Sequence, residues 1–254
     1  MCLARNFAFA LIVFAAGCLV APAQGNALVQ TFFGEDLTPG GTVPPGGNAA
    51  TARQNFLNAL TAGVSTEDFE SFVPGASSPL ALSFVGGLGT ILGTLNGDGA
   101  TQNFLNSGRF PTSGEQYWNS FGTFSISFAS PVAAFGFFAT DIGDFDGNVT
   151  LQTSDGVTKD YLIPHTVLGP NGSLLFYGVI DTDNPFTDVT FGNTSEGVDG
   201  FGFDDLTVGD VSQVSAVPLP AAFPLFLSAL GLLWGLSWRR RGFAFRRQRD
   251  HTSA

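Results

Sequence analysis

Phe121-Gly122-Thr123-Phe124-Ser125-Ile126-Ser127-Phe128 sets Phe121, Phe124, Ile126 and Phe128 against Thr123, Ser125 and Ser127, with Gly122 as the irregular position. Successive side chains of a strand point to opposite faces, so this stretch predicts a strand with one buried and one wet face. Val132 to Ala139 follows and is nearly all apolar, which predicts a central strand covered on both faces. Working outward, Phe72-Val73, Leu80 to Val85 and Thr90 to Leu95 read as short strands broken by glycine. Val149 to Thr153 alternates again, and Ser154-Asp155-Gly156 turns the chain into Lys159 to Ile163. Leu174 to Ile180, Asp188 to Phe191 and Phe201 to Val208 complete the set. One helix is expected, from Ala49 to Ala62, with Phe56, Leu57 and Leu60 on its apolar side and Gly63 after it. Roughly ten short strands with Gly, Asp and Asn turns predict a mainly β chain, an antiparallel β-sandwich of jelly-roll type. The 27 phenylalanines suit a core between two sheets.

The two ends read differently. Arg5, the apolar run from Phe7 to Gly17 and the small residues around Ala23 and Ala27 make residues 1–27 an export signal. Ala15-Ala16-Gly17-Cys18 is a weak lipoprotein box within it. Ala221 to Trp238 carries no charged side chain, and as a helix at ~1.5 Å per residue it reaches ~27 Å, close to a ~30 Å hydrocarbon core. Arg239, Arg240 and Arg241 follow at once, with Arg246, Arg247 and Arg249 beyond, which places the C-terminus on the cytoplasmic side and the body outside. The expected organisation is a signal peptide at 1–27, a flexible segment at 28–48 with its Pro/Gly loop at 37–48, a sandwich domain at 49–212 and a C-terminal segment at 213–254 with a transmembrane span at 221–238.

Charge follows the same division. Only Arg53, Arg109 and Lys159 of the 10 cationic residues fall in the body, whereas Asp250 is the only one of the 21 acidic residues outside it, so the body stands at about −17 rather than the chain-wide −11. A surface of that sign excludes nucleic acid as a partner and suits solubility and divalent cations. Both cysteines, Cys2 and Cys18, lie in the signal, so the body must be held by its core or by bound ions.

Signal, body, Val217-Pro218-Leu219-Pro220, apolar span and arginine cluster together resemble the PEP-CTERM sorting architecture, in its VPLPA form. Leu219 stands where the commoner signal has Glu, and thirteen residues follow Arg241 where the family usually stops sooner. The resemblance implies passage through the export machinery, an inner-membrane-anchored precursor, processing near Pro218-Leu219-Pro220 by an exosortase, and delivery to the cell surface or matrix of a Gram-negative bacterium. The body is also similar to a recurrent domain of exported PEP-CTERM proteins. The matching residues are Thr66 to Phe72, Phe135 to Asp144, Phe176 to Ile180 and Asp199 to Leu206, within roughly residues 49–210. That domain implies no activity.

Three groups of residues are candidates for binding. Glu70 early and Asp204-Asp205 late would share a structural calcium if the first and last strands lie side by side, an arrangement that resembles jelly-roll carbohydrate-binding modules; the alternative is that both aspartates accept backbone N–H bonds in a turn. Asp141, Asp144 and Asp146, followed by Gly147, form a second acidic loop able to hold calcium or simply to close a hairpin. Tyr117-Trp118, read as part of a loop, would stack on a sugar ring if exposed and pack in the core if not. No nucleophile elbow, zinc-protease helix or phosphate-binding loop is present, and His165 is the body's only histidine. The expected function is a non-enzymatic surface protein that binds exopolysaccharide, in a biofilm matrix for example. A self-associating coat protein and a secreted glycan hydrolase are the alternatives.

Overall fold

The computed structural model describes residues 29–61, 63–194 and 199–215. The sorting motif Val217–Pro220, the apolar span and Arg239–Arg241 lie outside the described residues, as does the export signal. No helix among the described residues is long and apolar enough to cross a membrane.

Among the described residues, thirteen strands form two antiparallel sheets. In chain order they are β1 (Gln30–Asp36), β2 (Ser65–Glu67), β3 (Leu80–Gly86), β4 (Gly89–Gly97), β5 (Ala100–Gln102), β6 (Tyr117–Ser120), β7 (Phe124–Val132), β8 (Ala134–Thr140), β9 (Val149–Ser154), β10 (Thr158–Ile163), β11 (Leu174–Ile180), β12 (Phe186–Asn193) and β13 (Phe201–Gly209). The first sheet runs β1-β11-β8-β13-β6-β5, with β2 also paired to β13. The second runs β10-β9-β12-β7-β4-β3. Between them lies a phenylalanine core in which Phe124 stacks on Phe191 at 4.4 Å and meets Phe203 edge-on at 4.9 Å.

The strand of the opening alternation is β7, and its buried residues are Phe124, Ile126, Phe128 and Val132. It begins after Gly122. The N–H groups of Phe121 and Gly122 both donate to Asp98, which closes a turn and leaves Phe121 40% exposed under the Arg109 guanidinium. The all-apolar run is β8, buried at every position as expected. The second covering layer is α1 (Asn48–Asn58), whose Ala49, Ala52 and Phe56 pack with Phe138, Leu174, Phe176 and Ile180. The first sheet therefore has no open face along β8 and β11.

Of the segment 28–48, expected to be flexible, residues 29–48 are described and are built into the fold. Its first half is β1, paired with all of β11. Asp36 at the end of β1 accepts bonds from the N–H groups of Asn48 (2.9 Å) and Ala49 (3.0 Å), supplying the helix N-terminus with the cap that Gly47 cannot give. The Pro/Gly-rich stretch is only the connection between them. Phe72-Val73 belongs to a turn rather than a strand, and the helix stops at Asn58 instead of Ala62, because Leu60 bridges to Val214.

Candidate functional site

Glu70, Asp204 and Asp205 do converge, but on a loop. The first and last strands of the predicted body, β2 and β13, are neighbours through Leu206–Glu67 and Thr207–Thr66. Along the same edge of β13, residues Phe201 to Phe203 pair with β6 instead. Asp204 and Asp205 fall between these two partners, at a bulge where Asp205 takes a left-handed φ of 53°. The bulge turns both consecutive side chains onto Thr112-Ser113. Asp204 Oδ2 accepts from the Thr112 N–H (2.7 Å), the Ser113 N–H (3.1 Å) and the Thr112 hydroxyl, while the Ser113 hydroxyl donates to Asp205 at 2.8 Å. Glu70 Oε1 accepts from the N–H groups of Glu115 and Gln116, both at 2.6 Å, where Gly114 (φ +55°) leaves no room for a side chain. The expected calcium staple is thus a set of hydrogen bonds that ties residues 112–116 down. Glu70, Asp204 and Asp205 are not among the described carboxylates whose oxygens lie close enough together to share an ion, so this group does not fit one. Burial and then the neighbouring Asp205 push Asp204 up to about 8, against the N–H bonds that favour its charged form.

Tyr117 and Trp118 are fully buried in β6, a strand and not the expected loop, so of the two readings they pack in the core and the sugar-stacking candidate falls. Trp118 lies over Phe69 in a stacked contact at 6.2 Å, and its ring fills the space left by Gly99. The Tyr117 hydroxyl donates within the fold, to Gln102 or to the Phe104 carbonyl. A strand covered on both faces shows no period of two, which is why these residues read as a loop.

The second acidic loop holds together in part. Oxygens of Asp141, Asp144 and Asp199 lie within 4.8 Å of one another, the one such group among the described residues. Asp146 is exposed and outside it. Asp199, which precedes β13, was not anticipated, since it stands more than fifty residues away in the chain. Asp141 (φ 67°) is held by the Gly172 N–H at 2.9 Å, and Gly108 packs so close that any side chain there would strike its carboxylate. Burial raises Asp141 to about 7, the charges of Asp144 and Asp199 add to the rise, and Arg109 opposes it. Asp144 is raised by burial and by Asp199. Its Oδ1 is buried with no hydrogen-bond partner among the described residues. Three converging carboxylates with an unused buried oxygen fit a calcium ion, which takes oxygen ligands and would offset their repulsion.

A cleft of about 360 Å³ opens nearby, lined by Thr38 to Gly41, Leu105, Gly108 to Phe110 and Asn171-Gly172. None of the three carboxylates lines it, so they stand behind its wall rather than facing a substrate. That arrangement gives no support to the hydrolase alternative.

The remaining feature is the outer face of the second sheet, which no helix among the described residues covers. Its side chains fall in rows set by the pairing. Ala81, Thr94, Ser127, Asp188, Ser154 and Thr158 cross all six strands, and Asn96, Ser125, Thr190, Gln152 and Asp160 form the next row. On the four central strands the only charged outward residue is Asp188, and the hydroxyls of Ser127 (2.7 Å) and Thr187 (2.8 Å) donate to it. With strands ~4.8 Å apart, a row of six extends about 24 Å.

The sequence matches no protein-family model and no curated protein. Among solved structures, the chain is similar to a mutant of a family 29 carbohydrate-binding module, at 12% identity and a TM-score of 0.33, covering 61% of this chain and 98% of that one. It is also similar to the C-terminal family 22 carbohydrate-binding module of Clostridium thermocellum Xyn10B, at 15% identity and a TM-score of 0.36, covering 61% and 97%. A xylan-binding domain of family 22 gives 15% identity and a TM-score of 0.36, covering 61% and 99%.

Proposed function

We propose that this chain is an exported protein, processed at Val217–Pro220 by an exosortase-type enzyme, whose sandwich binds neutral extracellular polysaccharide without cleaving it. The observation that carries the binding role is the open face of the second sheet. A body at about −17 would be expected to show carboxylates there, yet the central strands present short hydroxyl and amide side chains in straight rows. Such groups donate and accept hydrogen bonds and lose little rotamer freedom on binding. A long glycan offers hydroxyls at regular intervals, and many weak contacts along one polymer add up as avidity. The net charge sets the preference for neutral over acidic glycans.

Affinity electrophoresis of the full-length protein through gels containing neutral or acidic polysaccharide tests this. Retardation by a neutral glycan is expected, and replacing Ser127 and Thr190 together by glutamate should weaken it about tenfold or more, equivalent to about 1.4 kcal/mol. Equal mobility in every gel, or retention unaltered by the two glutamates, would overturn the assignment to this face.

The same reading includes a structural calcium, held by Asp141, Asp144 and Asp199 and joining the loop after β8 to the start of β13. Native-state binding must raise the melting temperature. The midpoint should climb with millimolar calcium, drop on chelation, and lose its calcium response in Asp199→Asn. A calcium-independent midpoint would remove the ion from this account.

A further inference from the structure

We infer that the corner of the sandwich formed by the β3–β4 hairpin and the end of β13 lies against the lipid bilayer in the membrane-anchored precursor. This rests on the reading of residues 221–238 as a membrane span. Three segments meet at that corner. The Thr61 N–H donates to the Gln213 carbonyl, the Ser215 N–H to the Ala59 carbonyl, and Gln213 Nε2 to the carbonyls of Gly63 and Val85. The tip of the β3–β4 hairpin is tied to the departing chain through the Gly87 N–H and Asp210, at 2.7 Å.

The corner has the chemistry of a membrane-facing surface. Leu88 is 94% exposed, Val85 55% and Val211 47%, and no partner among the described residues covers them. Along residues 59–65, 85–90 and 210–215 the only charged side chain is Asp210. Its carboxylate is engaged inward, accepting from Gly87, Ser212 and Gln213. In a body so acidic, a corner whose single carboxylate is engaged within the fold and whose tip is an exposed leucine is a local exception, and it coincides with the point of exit.

Tether length makes the contact close. Five residues separate Ser215 from Ala221, and the six extended steps between them reach at most about 22 Å. A domain of this size has a radius of gyration of about 16 Å, so it is wider than its tether is long. The exit corner cannot turn far from the lipid surface, and apolar side chains there gain by entering the interface while the acidic remainder stays in water.

The test places single cysteines in the full chain, with Cys2 and Cys18 replaced by serine. An environment-sensitive probe goes at Leu88→Cys or, as an apolar control at the far end beside the cleft, at Leu105→Cys, which is 71% exposed. The protein is reconstituted in phosphatidylcholine vesicles and challenged with aqueous iodide and with a lipid-borne quencher. The expected result is blue-shifted emission at position 88, loss of its iodide quenching and gain of lipid quenching, with the reverse at position 105. Flotation with the vesicles but free iodide access at position 88 would overturn the corner contact alone. Failure to float would remove the span, and this inference with it.

Discussion

Replacing Phe56 by alanine is expected to cost about 3–5 kcal/mol of folding stability, the largest effect of any single substitution outside the central core. The reason is a slot made of two glycines. Gly136 of β8 and Gly178 of β11 are register partners, and a side chain added to either would meet the Phe56 ring at 2.7–2.8 Å. The ring sits in that slot with Phe32 edge-on at 5.5 Å and Phe176 at 5.6 Å. The helix that carries it is eleven residues long, and no side chain of its own caps the N-terminus; such a helix is marginal without tertiary contacts. Losing the ring therefore leaves a cavity and loosens α1 from β1 and β11 together. Urea unfolding of Phe56→Ala should show a lower midpoint. Gly178→Ala should cost about 1–3 kcal/mol by overpacking, and the double variant should lose less than the two costs combined, because the alanine ring gap accommodates the new methyl. Strict additivity, or a loss below about 1 kcal/mol for Phe56→Ala, would show that the slot does not hold the helix.

These glycines also show what was legible beforehand. Phe135-Gly136-Phe137-Phe138 announced a strand buried on both sides, but nothing in the chain indicated what covered the outer side. Strands with one wet face, such as β4, β7 and β9, were readable because burial alternates along them. β1 was lost beneath the Pro/Gly run that follows it, and β6 because both of its faces are buried. The acidic candidates fared according to chain distance. The pairing of β2 with β13 brings Glu70, Asp204 and Asp205 onto one loop, not around one ion. Their real partners, the N–H groups of residues 112–116, belong to a loop whose position only the three-dimensional fold sets. Asp199 joins Asp141 and Asp144 for the same reason, and the rows on the open face exist only once register is known. Residue types marked the candidates, and strand pairing decided their roles.

Folding stability should fall as pH rises between about 5 and about 8, and Asp204 is the main cause. In the folded chain burial and Asp205 hold its carboxyl at about 8, whereas in the unfolded chain it returns to its ordinary value of 3.8. Below about pH 4 both states carry the proton and the group is neutral to stability in its pH dependence. Above that, only the folded state keeps it, so unfolding releases a proton and each pH unit removes about 1.4 kcal/mol until the folded group also ionises near 8. Asp181 runs the other way. Burial alone would raise it, but the bonds from Lys159 and Asn184 outweigh burial and hold it below its ordinary value. The stability it contributes is complete above that ordinary value and is lost only in acid, so it adds no slope in the window. Asp141, raised to about 7, and Asp144, also raised, contribute the same sign as Asp204, so the asparagine variant isolates the share of Asp204. Denaturant unfolding between about pH 5 and about pH 8 should show a falling midpoint in the native protein and a clearly shallower fall in Asp204→Asn, whose amide oxygen can still accept from Thr112 and Ser113. A midpoint that rises with pH, or an unchanged slope in the asparagine variant, would mean that the N–H bonds to Asp204 outweigh its burial and keep it ionised in the fold.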